Sequence, residues 1–393
     1  MAAEPGMLLI GGGVASASAA VELRERGYDG PVTLLTRELD APYHRPPISK
    51  GLLLGTGEDL AVLPEQWWAD HDVQMLTRSA VTTLDLAARS VTLASKRELA
   101  YDKALVATGA MVRRLPVPGA ALRGIHYLRA PMNARSLGED LATPKRVVLI
   151  GGSFIAVEVA ASLTKMGHEC TMLMLEDRCL DRTFGGVVAE HVDQLLRSHG
   201  ITMICGASLA EFHGDENVSA VITEDGRSIP ADVVVIGAGA VPDVKLARSA
   251  GLTIGESGGI ACDATLRTSD AHVYSAGDAC EYDSVLHGMP VRIEHEQHAQ
   301  AQGVTAARNM LGANEDHRVV PYFWTDIADW ATLEYVGVSA THDEELVTGS
   351  LEAGEFTVWR SSAGRLVSAL TCGRPADLDA ARTAILDGGP IPA

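Results

Sequence analysis

Cysteine is sparse in this chain of 393 residues: Cys170, Cys179, Cys205, Cys262, Cys280 and Cys372, none of them in a Cys-x-x-Cys pair. Thiols so placed read as small buried hydrophobes in a reducing compartment, not as a disulfide framework. Long apolar runs are missing too, and nothing approaches the ~18–20 residues that a bilayer crossing needs. The N-terminus carries Glu4, and glycines follow its short apolar stretch, so it does not read as a secretion signal and the expected location is cytoplasmic. Basic residues are the minority, 32 Lys and Arg against 51 Asp and Glu, for a net charge of −19. That balance argues against nucleic acid and anionic membranes as partners. Metal chemistry is not expected. Glu294-His-Glu-Gln-His298 spaces its histidines one residue short of the His-Glu-x-x-His pattern, and no third ligand cluster accompanies it.

What the chain does have is glycine in the right company. The length suggests two or three domains, and the 47% apolar content can fill a large core. Met7-Leu-Leu-Ile10 reads as a buried parallel strand, Gly11-Gly12-Gly13 as a tight turn, and the Ala-rich run from Val14 to Leu23 as a helix. This is the strand–turn–helix of a dinucleotide site. Gly11 permits the turn and Gly13 lets backbone approach a pyrophosphate. Val14 and Ala15 then open a helix whose free N–H groups face that anion. Ser16 stands at the third glycine position and is small enough for close packing. The rival reading is an ordinary turn of any doubly wound sheet.

Val32-Thr-Leu-Leu35 is the second strand, and an acid at its end would hold an adenosine ribose. Thr36, Arg37 and Glu38 are available there; Glu38 is the candidate, against a reading as a solvated charge. In the segment Ala41-Pro-Tyr-His-Arg-Pro-Pro-Ile-Ser-Lys50, prolines stiffen the backbone, so Arg45 and Lys50 are held cations. Such cations suit a pyrophosphate and an electron-rich ring, and equally a solvated loop. A second strand–turn–helix follows at residues 146–164. Its turn is Gly151-Gly152-Ser153, with Phe154, Ile155 and Ala156 opening the helix. Ser153 stands where a glycine usually admits pyrophosphate, so a remnant that binds nucleotide poorly is the competing reading. Two such units imply two nucleotides.

The order of motifs resembles the ferredoxin-reductase and apoptosis-inducing-factor branch of the two-dinucleotide flavoproteins. The resemblance rests on the first glycine turn, the Pro-Tyr-x-Arg-Pro-Pro-Ile-Ser-Lys segment and Ala107-Thr108-Gly109. It continues through the second turn, Gly237-Ala-Gly239 before Pro242, Gly277-Asp278, Glu294-His295 and Phe323-Trp324-Thr-Asp326. It runs collinearly over nearly the whole chain. It implies an α/β fold with two Rossmann-like dinucleotide-binding domains and a C-terminal α+β domain. Residues 1–116 and 242–318 would bind FAD, 117–241 would be the inserted NAD(P) domain, and 319–393 would cover the flavin and offer a docking surface. Strand-like runs at Ala331–Val338, Phe356–Arg360 and Arg365–Thr371, then a helix near Ala376–Leu386, are expected in the last part.

The FAD set implied is Gly11, Gly13, Val14, Ala15, Glu38, Arg45, Lys50, Ala107, Thr108, Gly109, Gly277, Asp278, Glu294, His295 and Trp324. Asp278 would hydrogen-bond the ribityl chain, against a reading as an Asx turn or helix cap. Trp324 would stack near the flavin, or be a plain buried aromatic. The NAD(P) set is Gly151, Gly152, Phe154, Ile155, Glu176, Gly237 and Gly239. Met174 cannot accept a ribose hydroxyl, so Glu176 takes that place; Arg178 and Arg182 nearby keep NADPH open beside NADH. Glu158 would pair with Lys50 at the flavin's reactive edge, or simply complement a helix N-terminus. The implied activity is hydride transfer from NADH or NADPH to flavin, then electron release to a ferredoxin. An acidic iron–sulfur partner requires a basic patch assembled in three dimensions. The alternative is an apoptosis-inducing-factor-like protein with weak NADH turnover and a binding or signalling role. Disulfide reduction is not expected, because no thiol precedes Cys170.

Overall fold

The computed structural model describes residues 5–56, 59–338 and 342–392; Glu4 lies outside them. Four apolar residues at Met7–Ile10 are buried on both faces, as a parallel strand covered by helices on each side requires. They form the centre of a five-stranded parallel sheet. Val32–Leu35 and then Val73–Leu76 lie to one side, and Lys103–Val106 and then Val273–Ser275 to the other.

A second parallel sheet repeats this plan around Arg146–Ile150. Glu169–Leu173 and Thr202–Ile204 flank it on one side, Val233–Ile236 and Ile125–His126 on the other. The duplication extends beyond the strands. In each sheet the strand beside the central one on its second flank follows a three-stranded antiparallel meander, at residues 81–100 in the first and 209–230 in the second. After that strand each chain segment crosses between the two sheets. The crossing strands Ala110–Val112 and Ala240–Pro242 pair with each other antiparallel. The copies differ in the outermost strand: in the second sheet it comes from before the central strand, at 125–126, and in the first from long after it.

The turns repeat as well. Gly11 and Gly151 both carry positive φ, 137° and 108°. A side chain at either would strike the carbonyl of Ala107 or Gly237, at equivalent places in the two units. The first turn's helix, Val14–Glu25, packs its alanine face against the helix Glu296–Met310. Their backbones come so close that a Cβ on Gly303 would overlap the Ala15 carbonyl.

The C-terminal part is a five-stranded antiparallel sheet in the order Tyr322–Ile327, Ala331–Gly337, Arg365–Cys372, Glu355–Ser362, Glu344–Ser350, backed by the helix Pro375–Asp387. Ile327, Leu333, Phe356, Val358 and Leu370 share one apolar core with the second sheet's helices and with Tyr43 and Ile48. This packing brings the Tyr322–Ile327 strand beside the second turn. Among the described residues no helix is long and apolar enough to cross a membrane, and no group of three or more His, Cys, Asp or Glu could hold a metal ion.

Candidate active site

A cavity of about 600 Å³ runs from the first glycine turn, past the 43–50 segment, to the start of the second turn's helix and the strand Tyr322–Ile327. All residues of the FAD set line it: Gly11, Gly13, Val14 and Ala15 at the turn; Glu38, Arg45 and Lys50; Ala107, Thr108 and Gly109; Gly277, Asp278, Glu294, His295 and Trp324. Of the NAD(P) set, Phe154 and Ile155 line it too. Gly151, Gly152, Glu176, Gly237 and Gly239 lie outside it, around the second turn. No cysteine is among the lining residues.

Arg45 is fixed by four contacts. It donates to Glu38 Oε1 (2.7 Å), to the Tyr43 hydroxyl (2.7 Å) and to the Arg129 carbonyl (2.8 Å), and its own amide donates to Glu296 Oε2 (3.0 Å). Tyr43 in turn donates to Glu38 Oε2 (2.5 Å). Burial works to raise the Glu38 carboxyl, but Arg45 and the Tyr43 hydroxyl outweigh it and hold the group below its ordinary range. Asp278 is pushed the other way: burial raises it, and Arg129, 3.7 Å away, opposes that only in part. Glu294 is paired at the rim with Arg292. His295 stacks on Phe323 with ring centroids 4.6 Å apart, and burial lowers its pKa to about 4, so the ring is neutral at pH 7.

The deep end holds an ion pair. Lys50 Nζ lies 2.8 Å from Glu158 Oε1. Glu158 is buried, 4% exposed, in the first turns of the helix Phe154–Lys165. Its carboxylate also accepts from Ser49 Oγ (2.6 Å) and Thr325 Oγ1 (2.7 Å). Three parts of the chain thus meet on one carboxylate: the Pro-rich segment, the second turn's helix and a C-terminal strand. A buried carboxylate so bonded is held rigidly against its lysine.

At the second turn Ser153 Oγ donates to the Gly237 carbonyl (2.6 Å), so its hydroxyl is turned onto the protein. Met174 is core, 1% exposed. Glu176 has Arg182 at 3.5 Å, and Arg178 has Glu190 at 3.7 Å.

Sequence reading missed Arg129, Tyr43, Ser49, Thr325, Glu296 and Gln302, whose Oε1 accepts from the Gly277 amide (2.8 Å). Ser49 and Tyr43 sit inside a segment already singled out, Ser49 next to Lys50 and Tyr43 two residues before Arg45, and that nearness was the available signal. Arg129 and Gln302 reach the site only through tertiary packing, and their local sequence carries no sign of it, whereas Thr325 and Glu296 sit inside stretches the sequence already marked.

Comparison with known proteins settles the lineage. The family profile described as "Pyridine nucleotide-disulphide oxidoreductase" matches residues 6–303. The chain belongs to this family. A second profile, "Reductase C-terminal", matches residues 322–393. Rhodocoxin reductase of Rhodococcus erythropolis is 34% identical over 388 residues, 98% of this chain and 90% of that protein. Putidaredoxin reductase of Pseudomonas putida is 31% identical, over 100% of this chain and 94% of that one. Among solved structures, the ferredoxin reductase for the CYP199A2 system from Rhodopseudomonas palustris superposes with a TM-score of 0.95 at 31% identity, covering 99% and 96% of the two chains. The reductase in the covalent putidaredoxin reductase–putidaredoxin complex gives 0.94 at 31% identity, covering 99% and 94%. The family's name includes disulphide chemistry, but this member has no thiol lining its cavity.

Proposed function

We propose that the chain is an FAD-dependent NAD(P)H oxidoreductase that passes electrons to a ferredoxin-type iron–sulfur protein. The observation that carries this reading is the Lys50–Glu158 pair, where one long cavity from the first glycine turn ends against the helix of the second. The cavity suits FAD in its donors. A glycine turn opening a helix and the cation Arg45 stand where a pyrophosphate would lie, and Glu38 stands at the adjoining strand end. The names of the relatives, rhodocoxin and putidaredoxin reductases among them, support the acceptor class.

In this reading residues 1–116 with 242–318 hold FAD, 117–241 hold NAD(P)H, and 319–393 cover the flavin. The amides of Gly11–Ala15 and Arg45 bind the pyrophosphate, Glu38 takes the adenosine ribose, and Asp278 the ribityl chain. Bound FAD supplies the capacity to accept a hydride from the nicotinamide and to release its electrons one at a time. Lys50 sets a positive charge at the reacting edge, and Glu158 fixes its position through the bonds from Ser49 and Thr325. Phe154 and Ile155, with Phe323, wall the meeting place of the two rings and exclude water. At the second turn Gly151, Gly152, Gly237 and Gly239 shape the nucleotide's seat, and Glu176 accepts from its ribose. The test is rapid mixing of the purified protein with NADH or NADPH, then with a ferredoxin. Flavin reduction followed by reduction of the iron–sulfur centre supports the reading, and a stable reduced flavin that no ferredoxin reoxidises contradicts its second half.

A further inference from the structure

Asp193 is a buried carboxylate, 8% exposed, in the span Asp181–Ser198, on the helical stretch that follows its break at Gly185, and neither nucleotide set includes it. Its Oδ1 accepts from both the Cys179 amide (3.2 Å) and the Cys179 thiol (2.7 Å). Burial and the carboxylate itself push the Cys179 thiol well up, so at neutral pH it keeps its proton and serves as a donor.

Cys179 is fully buried, and it backs onto the second glycine turn. A Cβ built on Gly152 would lie 3.2 Å from Cys179 Cα and 3.0 Å from Met174 Sδ. The next residue, Leu180, donates its amide to the Gly152 carbonyl (2.9 Å), in a left-handed conformation with φ 59°. The same short loop carries Glu176, whose carbonyl accepts from the Gly206 amide (3.1 Å). One bonded loop therefore links the Gly152 turn to Glu176, and Asp193 holds its far end. Just before the helical stretch that carries Asp193, across the break at Gly185, buried Arg360 donates to the Phe184 carbonyl and pairs with Glu345 at 2.9 Å.

A buried carboxylate is costly unless it is well bonded, and an apolar residue could fill the same space. Bonding to one loop at two atoms marks the group as a device for fixing that loop. We propose that Asp193 is a positioning residue for the pyridine nucleotide: through Cys179 it sets the distance between the Gly152 turn and Glu176. This inference rests on the second turn being the nucleotide site, as proposed above.

The experiment is steady-state and rapid-mixing kinetics of the flavin-loaded protein. D193A removes both bonds, and its KM for NADH rises about tenfold while kcat stays within about twofold. D193N keeps an oxygen acceptor for the amide and the thiol, and restores KM to near the wild-type value. A purely structural role would instead lower the melting temperature and flavin content with KM of the folded fraction unmoved. That result overturns the proposal, as does a KM raised equally in D193A and D193N. If D193A does not fold, C179A removes the thiol bond alone: a severalfold rise in KM supports the proposal and an unchanged KM overturns it. Wild-type flavin that neither NADH nor NADPH reduces would fail the underlying reading, whatever the variants do.

Discussion

Lys50 and Glu158 are 108 positions apart in sequence and 2.8 Å apart in space. In Lys50→Ala the carboxylate keeps its bonds from Ser49 and Thr325, so the fold and the flavin are retained. The charge at the proposed reacting edge is gone, and reduction by NADH is expected to slow by about tenfold or more, the scale of one charge-assisted contact. Stopped-flow bleaching of the flavin absorbance reads this directly; an unchanged rate would remove Lys50 from the chemistry. Arg45 makes a different case. Arg45→Leu strands Glu38 and takes a cation from the proposed pyrophosphate seat, so the variant is expected to purify with much of its flavin lost, at least tenfold weaker by equilibrium dialysis. Full flavin occupancy in that variant would place the pyrophosphate elsewhere.

Among the helices, Glu296–Met310 is the one on which most of the first site depends. Its Glu296 pins residues 44–45, its Gln302 takes the Gly277 amide, and its Gly303 lies against the Ala15 backbone. Gly303→Val is expected to cost about 1–3 kcal/mol or more through overpacking, with flavin loss and a lowered melting temperature. The helix also carries His298, 1% exposed with neither ring nitrogen hydrogen-bonded among the described residues, beside buried His317 with ring centroids 4.9 Å apart. Burial lowers His295 and His317 to about 4 and His298 well below its ordinary value. The unfolded chain protonates these rings near pH 6.5, whereas in the folded chain His295 and His317 do not take a proton until about pH 4, and burial holds His298 down in the same direction. Stability is therefore full above about pH 6.5 and falls as pH drops through that window, by up to about 1.4 kcal/mol per pH unit for each ring. Urea titrations at a series of pH values check this; His317→Gln should flatten the slope.

This helix also marks how far the sequence could be read. Motifs whose function lies in their own backbone, such as Gly11–Gly13, Gly151–Gly152 and the strand ends at Glu38 and Gly277, were legible, because a turn needs its glycines wherever it occurs. The Lys50–Glu158 pair was legible only through resemblance. The two meanders that repeat the duplication went unread, as did the edge strand Glu344–Ser350, which is mostly exposed and so has no apolar alternation. Arg129 and Gln302 enter the site from separate elements, and only the packing of those elements reveals them.

Across the whole molecule, two copies of one plan are joined by the paired crossing strands at 110–112 and 240–242, with the C-terminal sheet closing over the junction. Six cysteines are dispersed through this body and none reaches the cavity. Alkylating the accessible thiols of the native protein is thus expected to leave NAD(P)H-dependent turnover unchanged; loss of turnover would point to a thiol in the reaction. In the proposed reaction a pyridine ring meets a flavin at the end of the long cavity. Anaerobic mixing of the yellow protein with NADH, and separately with NADPH, tests it most directly. Bleaching of the flavin within a turnover, and return of the colour when an oxidised ferredoxin is added, is the predicted result. A protein that purifies without flavin, or whose flavin stays oxidised with both coenzymes, would contradict it.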